Sequence, residues 1–342
     1  MQAFFRRSCV RISPPRLFCA HRRAESKRRV SRRTKRGFAC ASALLAALVA
    51  YNIIDDMYHP EKRLSVLFSI LRSFPLRTYS KIQGAVCNIW LPRPFNLLVV
   101  GAARLALGIS LENAQRSRLS EYHSINDLFT RKLALGSRPI GSCVVSPVDG
   151  TVIYASKIRD SKLCKIKGVQ YREEELLCVA NIENMKLKGG DIYEVVIYLS
   201  PSNYHRFHSF LDFDLREIKH VPSYLFSVGA RHMKYLEGLL SKNERVVFSG
   251  ETPWGYGALV AVGSAGVGSI LTPFEKISTN SYFIKTEIRD YKMSEKVGKG
   301  EELGYFCMGS TVAVFFEAPE GFSLTCRENS SVRMGEPLGA VA

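Results

Sequence analysis

Short β-rich runs separated by turn residues fill the chain beyond Pro139, and they constrain its fold more than any other feature. Each run is rich in Val, Ile, Phe, Tyr or Thr, and Gly, Pro, Ser or Asn residues lie between the runs, which predicts strands joined by turns. The clearest runs are Gly150–Tyr154, Tyr193–Leu199, Arg245–Phe248, Ala258–Val262 and Thr311–Phe316. We therefore predict an α+β chain whose residues 139–342 form a mostly antiparallel β-sandwich or barrel.

The residues before this β-rich region predict amphipathic helices. Apolar residues with helical spacing form one stripe, at Leu64, Leu67, Phe68 and Leu71. Basic residues flank the stripe, and a basic amphipathic helix can lie on an anionic membrane surface, although packing against a core is an equal alternative. Residues 96–109 are a second apolar helix candidate. We predict that residues 55–138 form a helical, membrane-associating region.

The N-terminal segment, residues 1–37, holds thirteen Lys or Arg residues and a single acid, Glu25. A segment rich in Arg and Ser and poor in acids is typical of a mitochondrial transit peptide, with a disordered basic tail as the alternative. The net charge of +17 is concentrated here, so the remainder of the chain is only mildly basic. This distribution argues against a nucleic-acid partner, which would require basic residues grouped on the folded domain.

Residues 38–54 contain no charged side chain. As a helix they would reach roughly 26 Å, slightly less than a hydrocarbon core of about 30 Å, so a borderline transmembrane helix is predicted. Basic residues precede this segment, and Asp55 and Asp56 follow it. The positive-inside rule then places the N-terminus in the mitochondrial matrix and the main domain in the intermembrane space, at the inner membrane. A secretory signal peptide is the competing interpretation.

The nine cysteines are odd in number and include no pair separated by only two residues. We interpret them as scattered thiols that form neither a disulfide framework nor a zinc site.

Two segments contain candidate acid–base residues. In the first, Asp149 is followed by Gly150, a pair that on its own predicts a hairpin turn. In the second, residues 198–208, a strand is expected to end at Leu199 and a helical turn to follow it, which would project His205 and His208 on one side. Of two such histidines, one could act as a general acid and the other as a general base. The alternatives are a solvated pair and a metal site, and no further metal ligands are evident nearby.

A third segment, residues 299–311, combines a glycine and a serine just before a predicted strand. Gly309 allows another group to approach its carbonyl closely, and the hydroxyl of Ser310 is placed to attack that carbonyl. The alternative is an ordinary turn that leads into an edge strand.

Together the three segments resemble the phosphatidylserine decarboxylase family, and the resemblance extends from about Leu64 to the C-terminus. Residues 308–311, Met-Gly-Ser-Thr, are similar to the LGST cleavage motif of that family, with Met308 in place of Leu. Residues 126–131 are similar to its FFTR segment, with Leu128 in place of the first Phe. Further similar segments are residues 243–246, 267–270 and 332–336, whereas residues 167–177 are more acidic than the corresponding family stretch.

The resemblance implies an enzyme that converts phosphatidylserine to phosphatidylethanolamine and CO2. It implies that Ser310 attacks the carbonyl of Gly309, that the chain is cut between these residues, and that Ser310 becomes a pyruvoyl cofactor, which forms a Schiff base with the substrate. His208 would be the base that takes the serine proton, Asp149 would orient His208, and His205 would serve the later decarboxylation. No metal and no external cofactor are implied.

The partners implied by the resemblance are phosphatidylserine, membrane lipid and the two products of self-cleavage. These products, a large β chain that ends at Gly309 and a small α chain that begins at Ser310, would form a heterodimer, and further homo-oligomerisation is left open. Two other functions remain as alternatives. One is an autoproteolytic serine hydrolase that stops at cleavage without a pyruvoyl group, and the other is a membrane-anchored β-sandwich that binds lipid.

Overall fold

The computed structural model describes residues 76–158, 164–166, 169–228, 238–266, 269–277, 279–280, 287–307 and 309–342. The predicted targeting segment, residues 1–37, and the predicted transmembrane helix, residues 38–54, lie outside the described residues, as does the apolar stripe from Leu64 to Leu71. Within the part of the chain that is described, no helix is both long and apolar enough to cross a membrane.

Fifteen strands are defined among the described residues. They are β1 (Gly150–Lys157), β2 (Cys164–Ile166), β3 (Val169–Tyr171), β4 (Asp191–Leu199), β5 (Arg206–His208), β6 (Phe213–Val221), β7 (Arg245–Thr252), β8 (Gly255–Val262), β9 (Ile270–Leu271), β10 (Arg289–Val297), β11 (Glu302–Phe306), β12 (Ser310–Ala318), β13 (Phe322–Leu324), β14 (Ser331–Val332) and β15 (Gly339–Val341). All five runs singled out in the sequence lie in strands, at β1, β4, β7, β8 and β12.

Eight of these strands form one antiparallel sheet in the order β10-β6-β7-β8-β12-β4-β1-β14. Strands β10 and β14 are its edges, so among the described strands the sheet is open rather than closed into a barrel. A smaller antiparallel sheet has the order β5-β11-β9. The predicted α+β class with a mostly antiparallel sheet is confirmed.

The two sheets bury a common apolar core. Phe207 of β5 packs against Phe248 of β7 and Phe306 of β11, with ring centroids 5.7 and 5.0 Å apart. Strand β12 lies in the middle of the large sheet, and all nine of its residues are buried. The alternative interpretation of residues 299–311, a turn that leads into an edge strand, is therefore wrong.

The helices are α1 (Leu76–Cys87), α2 (Phe95–Leu107), α3 (Ile125–Phe129), α4 (Glu173–Leu177) and α5 (Leu239–Lys242), with 3-10 turns at Leu119–Glu121 and Glu183–Met185. The predicted apolar helix at residues 96–109 is confirmed as α2, which ends where Gly108 adopts a left-handed conformation. Val100 of α2, Tyr122, and Leu128 and Phe129 of α3 form a second apolar cluster. Helix α1 contacts the β region through Ser80, whose Oγ accepts a hydrogen bond from the backbone N–H of Gly266.

Strand register brings the candidate residues to one end of the large sheet. Thr151 of β1 and Thr311 of β12 both lie opposite Tyr198 of β4, and Ser310 lies opposite Leu199. The residues that precede β1 and β12 therefore flank the turn that follows β4. This turn leads directly into β5.

Candidate active site

Ser310 is the first residue of β12, and its side chain is fully buried. Its hydroxyl oxygen has no hydrogen-bond partner among the described residues. A buried hydroxyl without a partner costs free energy, and such a group is often retained at a reactive site. The geometry therefore singles out Ser310 as a candidate nucleophile.

Gly309 precedes this serine with φ at +48°, in the left-handed region that L side chains rarely adopt. A Cβ added at this position would meet no atom within 4 Å. The backbone conformation, rather than crowding near the carbonyl, is therefore the reason that glycine suits this position. The neighbouring Met308 lies outside the described residues.

His208 lies in β5, almost fully buried, and both of its ring nitrogens are engaged. Nδ1 donates a hydrogen bond to the carbonyl oxygen of Gly300, because a carbonyl can only accept, and the distance is 2.9 Å. Nε2 must then accept the hydrogen bond from the hydroxyl of Tyr204, also 2.9 Å away. Burial lowers the pKa of His208, and the hydrogen bond to Gly300 partly opposes this shift. The ring is therefore neutral, with a lone pair at Nε2.

Asp149 precedes β1 and accepts two hydrogen bonds. Its Oδ1 accepts from the backbone N–H of Met334 at 2.8 Å, and its Oδ2 accepts from Arg138 at 2.9 Å. The Asp149–Gly150 pair is not the hairpin turn that its sequence favours in isolation, because Gly150 begins β1. No hydrogen bond joins Asp149, His208 and Ser310 in this structure, although the charge of Asp149 helps to raise the pKa of His208.

His205 lies just before β5 and is completely buried. Its ring packs on Phe129 with the centroids 3.9 Å apart, and Nδ1 donates to the carbonyl oxygen of Asn203 at 2.9 Å. Nε2 has no partner among the described residues. Burial lowers the pKa of His205 to about 3. His205 is therefore a neutral imidazole with an unoccupied lone pair in a desolvated position.

The predicted helical turn that would carry both histidines is wrong. Residues 206–208 pair with β11, so the backbone is extended there, and a helical turn would leave β11 without this partner. Side chains alternate between faces in extended backbone, so residues three apart do not project together. The two histidines accordingly contact different groups, Phe129 in one case and Tyr204 in the other.

Several contacts of the site were not anticipated from the sequence. Tyr204 lies within residues 198–208, but nothing in its spacing distinguishes it from a core tyrosine. The carbonyl of Gly300 and the N–H of Met334 are backbone groups, which leave no signal in the side-chain pattern. Arg138 reaches Asp149 from eleven residues upstream, through the irregular chain before β1.

Among the described residues, no group of three or more His, Cys, Asp or Glu side chains is arranged to hold a metal ion. Five of the nine cysteines are described as free thiols: Cys87, Cys143, Cys178, Cys307 and Cys326.

Comparisons with known proteins identify the family to which this chain is similar. The family model described as phosphatidylserine decarboxylase matches residues 125–340. The mitochondrial phosphatidylserine decarboxylase proenzyme of Rattus norvegicus is 31% identical over 305 residues, which cover 80% of this chain and 74% of that protein. The phosphatidylserine decarboxylase proenzyme of Nitrosococcus oceani is 34% identical over 274 residues, which cover 78% of this chain and 88% of that protein. The matched region includes Asp149, His205, His208 and Ser310.

Proposed function

The chain belongs to the phosphatidylserine decarboxylase family, and from this we propose that it removes the carboxyl group of phosphatidylserine to give phosphatidylethanolamine and CO2. We further propose that it first cuts itself between Gly309 and Ser310 and converts Ser310 into a pyruvoyl group. The observation that carries the proposal is the buried, unpartnered hydroxyl of Ser310 next to a glycine with positive φ. The word proenzyme in the names of the relatives also fits a chain that must be processed.

Self-cleavage requires only groups of the chain and one water molecule. The Ser310 oxygen attacks the carbonyl carbon of Gly309, the peptide C–N bond breaks, and an ester links the two residues. Loss of the Ser310 α-proton and rupture of its Cβ–O bond then release the Gly309 carboxylate and leave dehydroalanine. This dehydroalanine is an enamine, which shifts a proton to give the imine with a methyl group, and hydrolysis of the imine releases ammonia and gives the pyruvoyl group.

His208 is the proposed base for the serine proton. A base needs a lone pair, and the hydrogen bond to Gly300 leaves one on Nε2. This lone pair accepts a hydrogen bond from Tyr204, which must be exchanged for one from Ser310 before proton transfer. Asp149 supports His208 in this proposal through its charge, because its own oxygens are bonded to Arg138 and Met334. This support differs from the direct hydrogen bond between aspartate and histidine in a serine-protease triad.

The residues around Ser310 suit a pyruvoyl group, because the unpartnered atoms Ser310 Oγ and His205 Nε2 are both buried. When formed, this group supplies an electron sink for the negative charge that loss of CO2 leaves on the α-carbon. His205 is proposed to act at the substrate carboxylate and to handle the proton that replaces it. Its contact with Phe129 keeps water away, which favours a step in which a carboxylate loses its charge.

The two products of cleavage are proposed to stay together as a heterodimer. The small α chain would contain β12, which lies between β8 and β4 in the middle of the large sheet. It would also contain β14, which pairs with β1 of the large β chain. Removal of a wholly buried central strand would expose the core, so we expect both chains to elute together on size-exclusion chromatography and to separate only in denaturant.

Membrane association is proposed for α1, α2 and the segment that joins them. These residues expose an unusual number of large apolar side chains: Tyr79, Ile82, Val86, Ile89, Trp90, Phe95, Leu97, Leu98, Val99 and Leu105. Exposed apolar side chains in this number are typical of an interaction site, and a phospholipid substrate makes a lipid surface the proposed partner. Such a surface would hold the site at the bilayer, where the acyl chains of the substrate need not enter water.

The proposed location is the mitochondrial inner membrane, with the β-rich domain in the intermembrane space. Its support is the composition of residues 1–54, together with the mitochondrial names of several relatives. Relatives with bacterial sources are also found, so family membership alone does not fix this location. Protease protection of the β-rich domain in intact mitochondria, lost when the outer membrane is ruptured, would test the orientation.

The test of the proposed activity is an intact mass spectrum of the purified full chain, together with CO2 release from carboxyl-labelled phosphatidylserine. We expect a fragment of residues 310–342 that is about 17 Da lighter than its serine form, the mass of the ammonia that is lost when serine becomes a pyruvoyl group. Ser310→Ala should remain uncut and inactive. A fragment with an N-terminal serine would instead indicate the autoproteolytic hydrolase, and an uncut wild-type chain would favour the lipid-binding β-sandwich.

A further inference from the structure

Arg131 is a buried cation with no ion-pair partner among the described residues. It follows α3, and only 6% of its surface is exposed. Nη2 donates to the carbonyl oxygens of Ser202 and Asn203, at 3.2 and 3.3 Å. Nη1 is buried and has no hydrogen-bond partner among the described residues. Burial of a charge is costly unless it is paired, so this arrangement calls for an anion.

Three other arginines with largely buried side chains have either an ion-pair partner or a fuller set of hydrogen bonds, although Nε of Arg138 is also unpartnered. Arg138 forms an ion pair with Asp149, and Arg206 forms one with Glu302. Arg245 donates to four backbone carbonyls and to a cysteine sulfur. Within the described part of the chain, no carboxylate lies within ion-pair distance of Arg131. Arg131 therefore combines two features, a missing counter-ion and a free donor.

Arg131 also lies at the candidate site. The carbonyl oxygen of Asn203 that accepts from its Nη2 also accepts from Nδ1 of His205. Arg131 and His205 thus meet at one oxygen atom, and the positive charge of Arg131 adds to burial in lowering the pKa of His205. The guanidinium of Arg131 therefore lies beside the imidazole ring of His205.

We propose that Arg131 binds the phosphodiester of the substrate headgroup through Nη1 and so places the serine moiety against His205. This inference rests on the proposed function, which supplies a substrate with two anionic groups, a carboxylate and a phosphodiester. A cation on the carboxylate would stabilise a charge that the reaction must remove. The phosphodiester keeps its charge throughout, and its oxygens suit the planar donors of a guanidinium.

The experiment compares wild type, Arg131→Gln and Arg131→Lys as full chains in mixed micelles. Mass spectrometry first establishes that each variant is cut and carries the pyruvoyl group. With phosphatidylserine as substrate, Arg131→Gln should raise KM by about tenfold or more and change kcat little, because a charge-assisted hydrogen bond to the ground state is lost. Arg131→Lys keeps the charge but loses the planar pair of N–H donors, so its KM should lie between the KM of wild type and that of Arg131→Gln. Arg245→Gln serves as a control for the loss of a structural arginine and should not reproduce the KM effect.

Two inhibitors distinguish the phosphodiester from the carboxylate. A dialkyl phosphate presents only the first group, and an O-alkyl serine presents only the second. Arg131→Gln should weaken inhibition by the dialkyl phosphate about tenfold and leave inhibition by the O-alkyl serine unchanged. An unchanged KM, or equal losses for both inhibitors, would overturn the proposal. A wild-type chain that releases no CO2 would instead refute the proposed function, and a cut, lipid-active Arg131→Gln chain with normal KM would refute only the role of Arg131.

Discussion

The hydroxyl oxygen of Tyr204 lies 2.9 Å from Nε2 of His208, the nitrogen that would have to accept the Ser310 proton. Burial raises the pKa of Tyr204, so the phenol remains protonated and acts as a donor. A hydrogen bond donated to Nε2 stabilises the neutral imidazole and disfavours its protonation. Tyr204 is therefore a positioning residue that fixes both the orientation and the protonation state of His208.

From this contact we predict that Tyr204→Phe raises the pKa of His208. The acidic limb of the pH–rate profile for self-cleavage should move to higher pH by roughly half a unit to one unit, the equivalent of one hydrogen bond. The profile can be measured on freshly synthesised precursor by following appearance of the small chain. Tyr291→Phe, a control on edge strand β10, should leave the profile unchanged. A profile of Tyr204→Phe that is merely lower at all pH values would indicate a structural role only.

Gly309 offers a separate test, because its φ of +48° is not accompanied by crowding. Gly309→Ala should cost about 1 kcal/mol in the cleavage-ready conformation and slow self-cleavage several-fold without preventing folding. Gly309→Asn should be slowed less than Gly309→Ala, since asparagine tolerates the left-handed region better. The half-time of cleavage gives the comparison. If both variants cleaved at the wild-type rate, the positive φ would have no bearing on the reaction.

The burial of His205 predicts how stability depends on pH. Its pKa is about 3 in the folded chain and near 6.5 when unfolded, so below pH 6.5 the unfolded chain binds a proton that the folded chain excludes. Stability should therefore fall as pH decreases from 6.5 towards 3, with about 1.4 kcal/mol per pH unit from this residue. The change can be followed by urea unfolding of uncut Ser310→Ala chain at several pH values.

In the same background, His205→Gln should show a shallower loss of stability between pH 6.5 and pH 4. His123→Gln is a suitable control, because His123 is only partly buried. Equal pH dependence in the His205→Gln variant and its parent would show that His205 takes up its proton in the folded chain as readily as in the unfolded one.

The strands could be predicted from the sequence because local signals specify them. The run before Leu199 combines β-branched and aromatic residues with a following Ser-Pro turn, and β4 ends at Leu199 as expected. The segment around His205 and His208 could not be predicted in this way. Its residues 206–208 are extended because they pair with β11, almost a hundred residues later, and no local pattern encodes such a partner.

In the candidate site, too, local sequence specifies some features, whereas others depend on residues that are distant along the chain. Ser310 and both histidines could be identified from short motifs, but the contacts that define their protonation could not. The carbonyl of Gly300 sets the tautomer of His208 and lies 92 residues away along the chain. Arg131 was part of a recognised segment, yet only the structure reveals that Nη1 is buried and unpartnered.

The exposed apolar residues of α1 and α2 lead to the last prediction. Leu98 and Leu105 are exposed by 73% and 82% of their surface, and a lipid surface would remove this area from water. In a chain that begins at residue 55 and so lacks the predicted transmembrane helix, the double variant Leu98→Asp/Leu105→Asp should therefore bind less to vesicles of phosphatidylserine and phosphatidylcholine in a flotation assay, with at least a several-fold loss. Charges at these positions should not disturb the core, because both side chains point away from it.

Leu187→Asp provides a matched control, since Leu187 is also an exposed leucine, at 54%, but lies outside the two helices. It should float with the vesicles as wild type does. Turnover of phosphatidylserine in vesicles should fall with binding in the double variant, whereas turnover of a short-chain, water-soluble phosphatidylserine should be retained. Normal flotation of the double variant would show that residues 55–342 contact the membrane elsewhere. Loss of turnover on the soluble substrate as well would indicate that the substitutions damage the site itself.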